Sequence, residues 1–518
     1  MTVPTLHHPD QGAGQTRQAV ETAGENPSAD GGRHPSISLG TRVVSAIWWT
    51  AGVKIGFQLV TWAMTLAVIR ILAPSDYGLM SLSLVFVNVL AGFSNLGLGD
   101  ALIQLDETPR PLVASVFGLL LLLSAALTVL LAVLAYPLAH WYHDVRLVSL
   151  IQVSSLGFLI TGLSTIPRVQ LQKSLRVRPM FVMEMGSGVI GAVLVIVLAY
   201  QGWGVWALML GGTLAGLVRL LGFAVLTAEY WVWPSFNFRL VRPLMSFGAF
   251  RTLDYLAWVA FGSADVLIIG RILGPENLGI YSVALNFAVM PLSKVAPIIN
   301  QVAFPAFALV QGNQVEARFY ALKAMRIMAL VMVPTFFGIS ALAPEIVSLV
   351  FGPQWAAAEN MLAVLGFAMS FRAILLVVPN FLQGMGDARA GFLCTLAGGI
   401  IFPPAFLIGC AWGIEGVCYA WVLAYPLVFL TTMLIASRRG QLDFRALLLT
   451  PLRPMAAGIA MVLAVSAVRP WVPGPEPIRA AILVATGAAV YTGIMAILFR
   501  PLFLEFLSLI SSVRARRT

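Results

Sequence analysis

Ionisable side chains inside long apolar segments are the residues of this chain best suited to do chemistry. The basic ones are Lys54, Arg219, Arg251, Lys294 and Arg372, and the acidic ones of most interest are Asp254 and Asp265. A charge inside a bilayer is costly unless it faces a partner or a wet cavity. A cation placed there suits a phosphate or another anion, and an aspartate suits a coupling proton or sodium ion.

Polar side chains recur at helical spacing in the same segments. Lys54 and Gln58 belong to a set with Thr50, Thr61 and Thr65 that covers roughly an 80° arc of a helix. Asn286, Ser293 and Asn300 recur every seven residues beside Lys294, and Asn88 and Asn95 have the same spacing. We therefore expect a hydrated cavity between these helices. The candidate substrate-binding residues are Lys54, Gln58, Asn88, Arg219, Arg251, Asn286, Lys294 and Arg372.

A purely structural role is the alternative for each of these groups. Polar side chains in membranes also hydrogen-bond neighbouring helices. Arg251 and Asp254 are three residues apart and can form an internal salt bridge. Asp254 and Asp265 are the candidates for binding a coupling ion. For Asp254, the salt bridge with Arg251 and the ion-coupling role both stay open.

The elements that must position these residues follow from composition. Of 518 residues, 59% are apolar and 10% are charged, and the mean hydropathy is +0.89. Soluble domains are typically about 25% charged, so this chain is predicted to be an all-α, polytopic membrane protein. Its net charge of +10 is read as a topology signal rather than as nucleic-acid binding.

Fourteen apolar segments are long enough to cross a bilayer, at about 20 residues each. They are 43–69, 79–102, 112–136, 147–166, 180–200, 203–228, 244–270, 278–303, 320–342, 356–382, 390–411, 414–437, 452–468 and 478–499. The predicted organisation is a disordered cytoplasmic tail at 1–41, an N-lobe at 42–228 (helices 1–6), a C-lobe at 229–437 (helices 7–12), and helices 13 and 14 with a basic tail at 438–518. Arginines and lysines concentrate in alternate loops, which predicts that both termini are cytoplasmic.

One motif occurs twice. Arg70-Ile-Leu-Ala-Pro74, followed by Gly78, recurs 201 residues later as Arg271-Ile-Leu-Gly-Pro275, followed by Gly279. An even number of spans separates the copies, so the two halves share one orientation and are predicted to be related by a pseudo-two-fold axis along the membrane normal. Two such bundles are typical of transporters. The proline and glycine of the motif also end a helix. Its arginine has either a structural role at that helix end or a role in substrate contact.

Known catalytic motifs are missing from the sequence. It contains no G-x-x-x-x-G-K-[ST], H-E-x-x-H, G-x-S-x-G or C-x-x-C. The pair His140 and His143 flanks two aromatic residues, which favours a membrane-interface turn over a metal site. We expect no enzyme activity, no cofactor and no metal.

At the repeat the sequence becomes recognisable. Arg271 to Ser282, Pro291-Leu-Ser-Lys294, Pro297 to Asn300 and Phe304 to Phe307 resemble the Wzx-type polysaccharide-exporter flippases of the multidrug/oligosaccharidyl-lipid/polysaccharide superfamily, most closely the colanic-acid-exporter branch. Gln172-Lys173, Leu349 to Gly352 with Trp355, and Arg70 to Gly78 extend the resemblance. It covers the chain from about residue 41 onward.

The resemblance implies a flippase of the bacterial inner membrane. Its substrate would be an undecaprenyl-diphosphate-linked oligosaccharide, moved from the cytoplasmic to the periplasmic leaflet for assembly of exopolysaccharide, capsule or lipopolysaccharide. Membrane lipid surrounds it, and polysaccharide polymerase machinery is a further candidate partner. Which glycan is carried, the coupling ion, the oligomeric state and the role of helices 13 and 14 stay open.

Two rival functions remain. A cation-coupled multidrug exporter of the same superfamily would favour an acidic, aromatic cavity, and here the charges within the spans lean slightly towards basic. A membrane glycan polymerase or ligase would be indicated by a long outer loop, and the outer loops of this chain are short.

Overall fold

The computed structural model describes residues 56–58, 60–95, 97–105, 107–174, 176–241, 259, 262–310, 312–500 and 504. Throughout these ranges the regular elements are helices, which confirms the predicted all-α class. Gln58 and the described residues after it belong to one compact unit. The predicted tail at 1–41 lies outside the described ranges, and the division into two lobes stays a prediction.

The helices follow the apolar runs of the sequence. Those of seven residues or more are, in chain order, α1 (Gly56–Ile71), α2 (Pro74–Asn95), α3 (Leu98–Gln104), α4 (Arg110–Tyr142), α5 (Arg146–Lys173), α6 (Val177–Tyr200), α7 (Val205–Leu226), α8 (Ala264–Ile272), α9 (Gly274–Leu309), α10 (Gln314–Ala341), α11 (Ala358–Leu375), α12 (Val377–Gly384), α13 (Ala388–Gly409), α14 (Gly413–Gly440), α15 (Phe444–Val468) and α16 (Glu476–Ile497). A short helix, Ala343–Ile346, follows α10.

Within the described residues, eleven helical stretches are long and apolar enough to cross a membrane. One of them, Arg389–Gly440, contains both α13 and α14, which are separated by the turn Cys410–Trp412. The predicted segments 43–69 and 244–270 fall partly outside the described ranges. The polytopic membrane fold is therefore confirmed, and the number fourteen stays a prediction.

Two predicted segments are each divided into two helices. Segment 79–102 is interrupted at Gly97, whose φ of 65° is a left-handed conformation that ends a helix. Segment 356–382 is divided at Leu376, between α11 and α12. Hydropathy does not reveal the break at Leu376, because the residues on both sides are apolar, whereas the break at Gly97 lies among the polar residues Ser94, Asn95 and Asp100.

The helix ends fall into two groups. We call the end where α1 joins α2 and α8 joins α9 the motif end, and the opposite end, which holds the C-termini of α5 and α7, the basic end. Three helices start at the basic end with a side-chain cap, in which Asn313, Asp387 or Asp443 accepts a hydrogen bond from a first-turn N–H.

The last two helices pack on the second half of the chain. α15 lies along α10, where Gly458 lets it approach Val333 and Phe337. α16 packs on α15, and the hydroxyl of Tyr491 donates to the carbonyl of Leu330 on α10 at 3.2 Å. Among the described residues, no corresponding pair of helices packs on the first half.

Candidate functional site

The two copies of the repeated motif lie against each other where α2 and α9 cross. A Cβ atom placed on Gly78 would lie 1.7 Å from the carbonyl oxygen of Pro275, and one placed on Gly279 would lie 1.7 Å from the carbonyl oxygen of Pro74. Only glycine permits such close backbone contact. The crossing is reciprocal, as a pseudo-two-fold relation between the halves requires.

Arg70 reaches from the first half to the second at the motif end. Its guanidinium donates to the carbonyl of Val350 at 3.1 Å and to that of Leu349. In return, Trp355 Nε1 donates to the carbonyl of Ile69 at 2.8 Å, and Gln354 Nε2 donates to that of Arg70 at 2.8 Å. Arg70 therefore has a structural role in this conformation.

Arg271 makes the corresponding contact in the other direction. Its guanidinium carbon lies 5.4 Å from the ring centre of Trp141, at the end of α4. The neighbouring Tyr142 hydroxyl donates to the carbonyl of Leu267 on α8 at 3.3 Å. Arg271 thus contacts the end of α4, and Arg70 contacts the segment that follows α10, so each motif arginine reaches the same region of the opposite half. We call these interactions and the glycine crossing the motif-end contacts.

Lys294 and Gln58, both predicted to bind substrate, contact each other. Lys294 Nζ donates to Gln58 Oε1 at 3.0 Å, which joins α9 to α1. Lys294 lies 15 residues beyond Gly279, about 22 Å along the helix, and it is exposed. Asn88 on α2 and Asn286 on α9 are exposed as well. Polar side chains therefore line exposed faces of three of the helices on which the sequence places polar stripes.

A second polar group lies inside the second half. Asp265 is buried and its Oδ2 accepts a hydrogen bond from the Tyr281 hydroxyl at 2.6 Å, which in turn accepts one from Trp421 Nε1 at 2.7 Å. Asp265 Oδ1 has no hydrogen-bond partner among the described residues. It lines a cavity of about 180 Å³ together with Arg372 and Tyr425. The sequence-predicted Asp265 and Arg372 therefore belong to one cavity.

The other residues predicted to form the site are not found beside Lys294 or Asp265 in the described part of the chain. Arg219 is half-buried on α7, a helix that packs against α5 and α6. Lys54, Arg251 and Asp254 lie outside the described residues. Of the residues predicted to form one anion site, Lys294 and Gln58 are in contact. Arg372 instead lines the cavity that contains Asp265.

Several participants give no strong signal in the sequence. Tyr281 and Trp421 are 140 residues apart and look like ordinary apolar core residues. Glu345 is 1% exposed and lies 3.0 Å from Arg469 and 3.7 Å from Arg479, which joins the start of α16 to the short helix Ala343–Ile346 that follows α10. The sequence also contains a second repeat: Trp203-Gly204 and Trp412-Gly413 both lie where a helix begins, and both glycines have positive φ.

Comparison with known proteins identifies the relatives of this arrangement. The family model for polysaccharide biosynthesis proteins matches residues 67–360. The succinoglycan biosynthesis transport protein ExoT of Rhizobium meliloti (strain 1021) is 27% identical over 437 residues, covering 83% of this chain and 87% of that protein. The lipopolysaccharide biosynthesis protein WzxC of Escherichia coli (strain K12) is 26% identical over 378 residues, covering 72% and 76%.

A solved structure shares the fold. The lipid II flippase MurJ in an inward closed conformation has a TM-score of 0.68 to this chain at 12% identity, covering 86% of this chain and 99% of that one. At that identity the likeness shows the architecture alone.

Proposed function

Because the chain belongs to the polysaccharide biosynthesis protein family, we propose that it is a flippase for undecaprenyl-diphosphate-linked oligosaccharide. It would carry repeat units from the cytoplasmic to the periplasmic leaflet of a bacterial inner membrane, for exopolysaccharide, capsule or lipopolysaccharide assembly. Both termini would be cytoplasmic, so the basic end faces the cytoplasm and the motif end faces the periplasm.

The exposed Lys294, with its contact to Gln58, is the observation that carries the proposal. An exposed ammonium on a membrane-length helix is expensive in hydrocarbon and is accommodated by a wet cavity. A diphosphate has the opposite charge and can take the place of Gln58 as the partner of Lys294. Exposed Asn88 and Asn286 suit sugar hydroxyls, while the polyprenyl chain stays in lipid.

Alternating access would supply the movement. The motif-end contacts hold the halves together on the periplasmic side in this conformation, which is the arrangement needed to receive cargo from the cytoplasm. Release would require Arg70 and Arg271 to leave their partners while the lobes rock about the glycine crossing. Buried Asp265, one oxygen of which has no hydrogen-bond partner in the described part of the chain, is our candidate for the coupling proton or sodium ion.

Substitution of Lys294 tests the proposal. In cells, Lys294→Ala is expected to lower delivery of lipid-linked glycan to the outer leaflet about tenfold or more, because a hydrogen bond to a charged group is worth about 1.5–3 kcal/mol. Lys294→Arg keeps the cation and should retain part of the activity. Lys323→Ala, a lysine on α10 beside Phe319, is the matched control.

Unchanged delivery by Lys294→Ala would contradict the proposed anion contact. Glycan export that is intact without the protein, together with greater sensitivity to cationic drugs, would favour the multidrug-exporter alternative.

A further inference from the structure

A pocket of about 340 Å³ lies at the basic end of the first half, away from the proposed cargo path. Its walls come from α3, α4, α5 and α7 and from the segments beside them, which include Thr108, Arg176 and Val232. None of the described residues of α1 or α9 lines it. Buried apolar side chains form much of the lining, including Leu102, Val113 and Ile166. The pocket is therefore separate from the Lys294–Gln58 contact.

Three cations line the same pocket. Arg110 and Arg176 are exposed, and Lys173 is half-buried. The residues that line it include no aspartate or glutamate. Glu107 is exposed nearby in the chain, and Glu184 lies 3.9 Å from Arg168, neither of which is part of the lining. Within the described residues, the lining is thus uniformly positive.

Lys173 is held in place rather than mobile. Its Nζ donates to the carbonyls of Leu105 at 2.7 Å and Leu102 at 3.3 Å, at the C-terminal end of α3, and lies 3.5 Å from the hydroxyl of Thr108. These acceptors fix the ammonium beside the pocket without neutralising its charge. The site therefore holds one cation in a fixed position, and Arg110 and Arg176 add two further positive charges to its lining.

We propose that this pocket binds the phosphate of an anionic phospholipid. α4, α5 and α7 are long and apolar enough to cross a membrane, so their ends are expected near the headgroups, and basic pockets between such helices are typical binding places for anionic headgroups. The apolar lining accommodates the glycerol and the first carbons of the acyl chains, which a free phosphate would leave empty. The bound lipid would hold the ends of α3, α4, α5 and α7 together.

Thermal unfolding of the purified full-length protein tests the proposal. Dioleoylphosphatidylglycerol is expected to raise the melting temperature in a concentration-dependent way, whereas dioleoylphosphatidylcholine and glycerol 3-phosphate are not. The variant Arg110→Gln/Arg176→Gln should bind phosphatidylglycerol roughly 25-fold more weakly, since each cation near the surface contributes about fivefold. Lys173 is left intact because α3 depends on it.

The control removes the same charge elsewhere at the basic end. Arg239→Gln/Arg438→Gln changes two exposed arginines that do not line the pocket, and it should keep the wild-type response. The proposal is overturned if the pocket variant responds like wild type, if the control loses as much, or if glycerol 3-phosphate stabilises the protein as strongly as the lipid.

Discussion

Gly78 and Gly279 face each other's motif across the junction of the two halves, each against the carbonyl of the other copy's proline. A methyl group at either position would overlap that oxygen, at 1.7 Å. The junction is therefore made by main chain on both sides. The repeat in the sequence is also a physical contact in the fold.

Gly78→Ala is expected to destabilise the protein by about 2 kcal/mol, because the added methyl must push α2 away from Pro275. Gly279→Ala should behave in the same way for the reciprocal reason. Both effects are measured as lower melting temperatures of the purified protein. Gly157→Ala in α5 is the control, since a Cβ there meets nothing within 4 Å and alanine favours a helix. Equal melting temperatures for all three variants would contradict the close crossing.

Arg70→Gln should weaken closure at the motif end. The variant lacks the guanidinium that bonds the carbonyls of Leu349 and Val350. Loss of these charge-assisted bonds should shift the equilibrium between the closed and open motif end about tenfold or more towards the open state. A cysteine introduced as Asn286→Cys reports on this, because Cys394, Cys410 and Cys418 are buried.

The reporter should react severalfold faster with a membrane-impermeant maleimide added outside the cell when Arg70→Gln is present. Arg239→Gln, which removes an exposed arginine near the basic end, should leave the rate unchanged. The same labelling rate with and without Arg70 would show that these bonds do not limit access.

Asp265→Asn removes the buried charge while keeping an acceptor for the Tyr281 hydroxyl. If Asp265 couples transport to an ion, glycan delivery in proteoliposomes should stop responding to an imposed proton or sodium gradient. Tyr281→Phe retains the carboxylate but loses both hydrogen bonds, so it should lower stability by about 1–3 kcal/mol and keep the gradient response. A gradient response that survives in Asp265→Asn would exclude this residue as the coupling group.

Glu345→Gln should destabilise the protein by about 2–4 kcal/mol, because it leaves Arg469 and Arg479 without their buried anion. Both arginines are about a third exposed, so water recovers part of the loss. The measurement is the melting temperature, compared with Glu276→Gln at an exposed position. The double variant Glu345→Gln/Arg469→Gln should recover stability relative to Glu345→Gln, and failure to do so would argue against a coupled pair.

The sequence is sufficient to predict the helical membrane fold and the family, and both are confirmed. Long apolar runs determine helix positions because each must satisfy its own backbone in lipid. The motif at Arg70 and Arg271 predicts two related halves. Its proline and glycine restrict the backbone, so the same motif is expected to form the same helix junction twice. The contact of Lys294 with Gln58 also agrees with the predicted polar faces.

Contacts between distant segments were harder to predict. Arg70 was placed at a helix end, but its partners lie 279 and 280 residues away and present only backbone carbonyls, which have no sequence signature. Tyr281 and Trp421 look apolar until packing brings their polar atoms to Asp265. Glu345 gave no signal because two cations close to it in space are more than 120 residues away in sequence.

The C-terminal helices make the two halves unequal in the membrane. α15 and α16 pack on α10 through Gly458 and Tyr491, and Glu345, just after α10, pairs with Arg469 and Arg479, so we expect them to move with it. A wider object displaces more lipid and meets greater viscous drag for the same displacement. When the halves move about their glycine junction, we therefore expect the narrower N-terminal half to undergo most of the displacement and the broader half to move less.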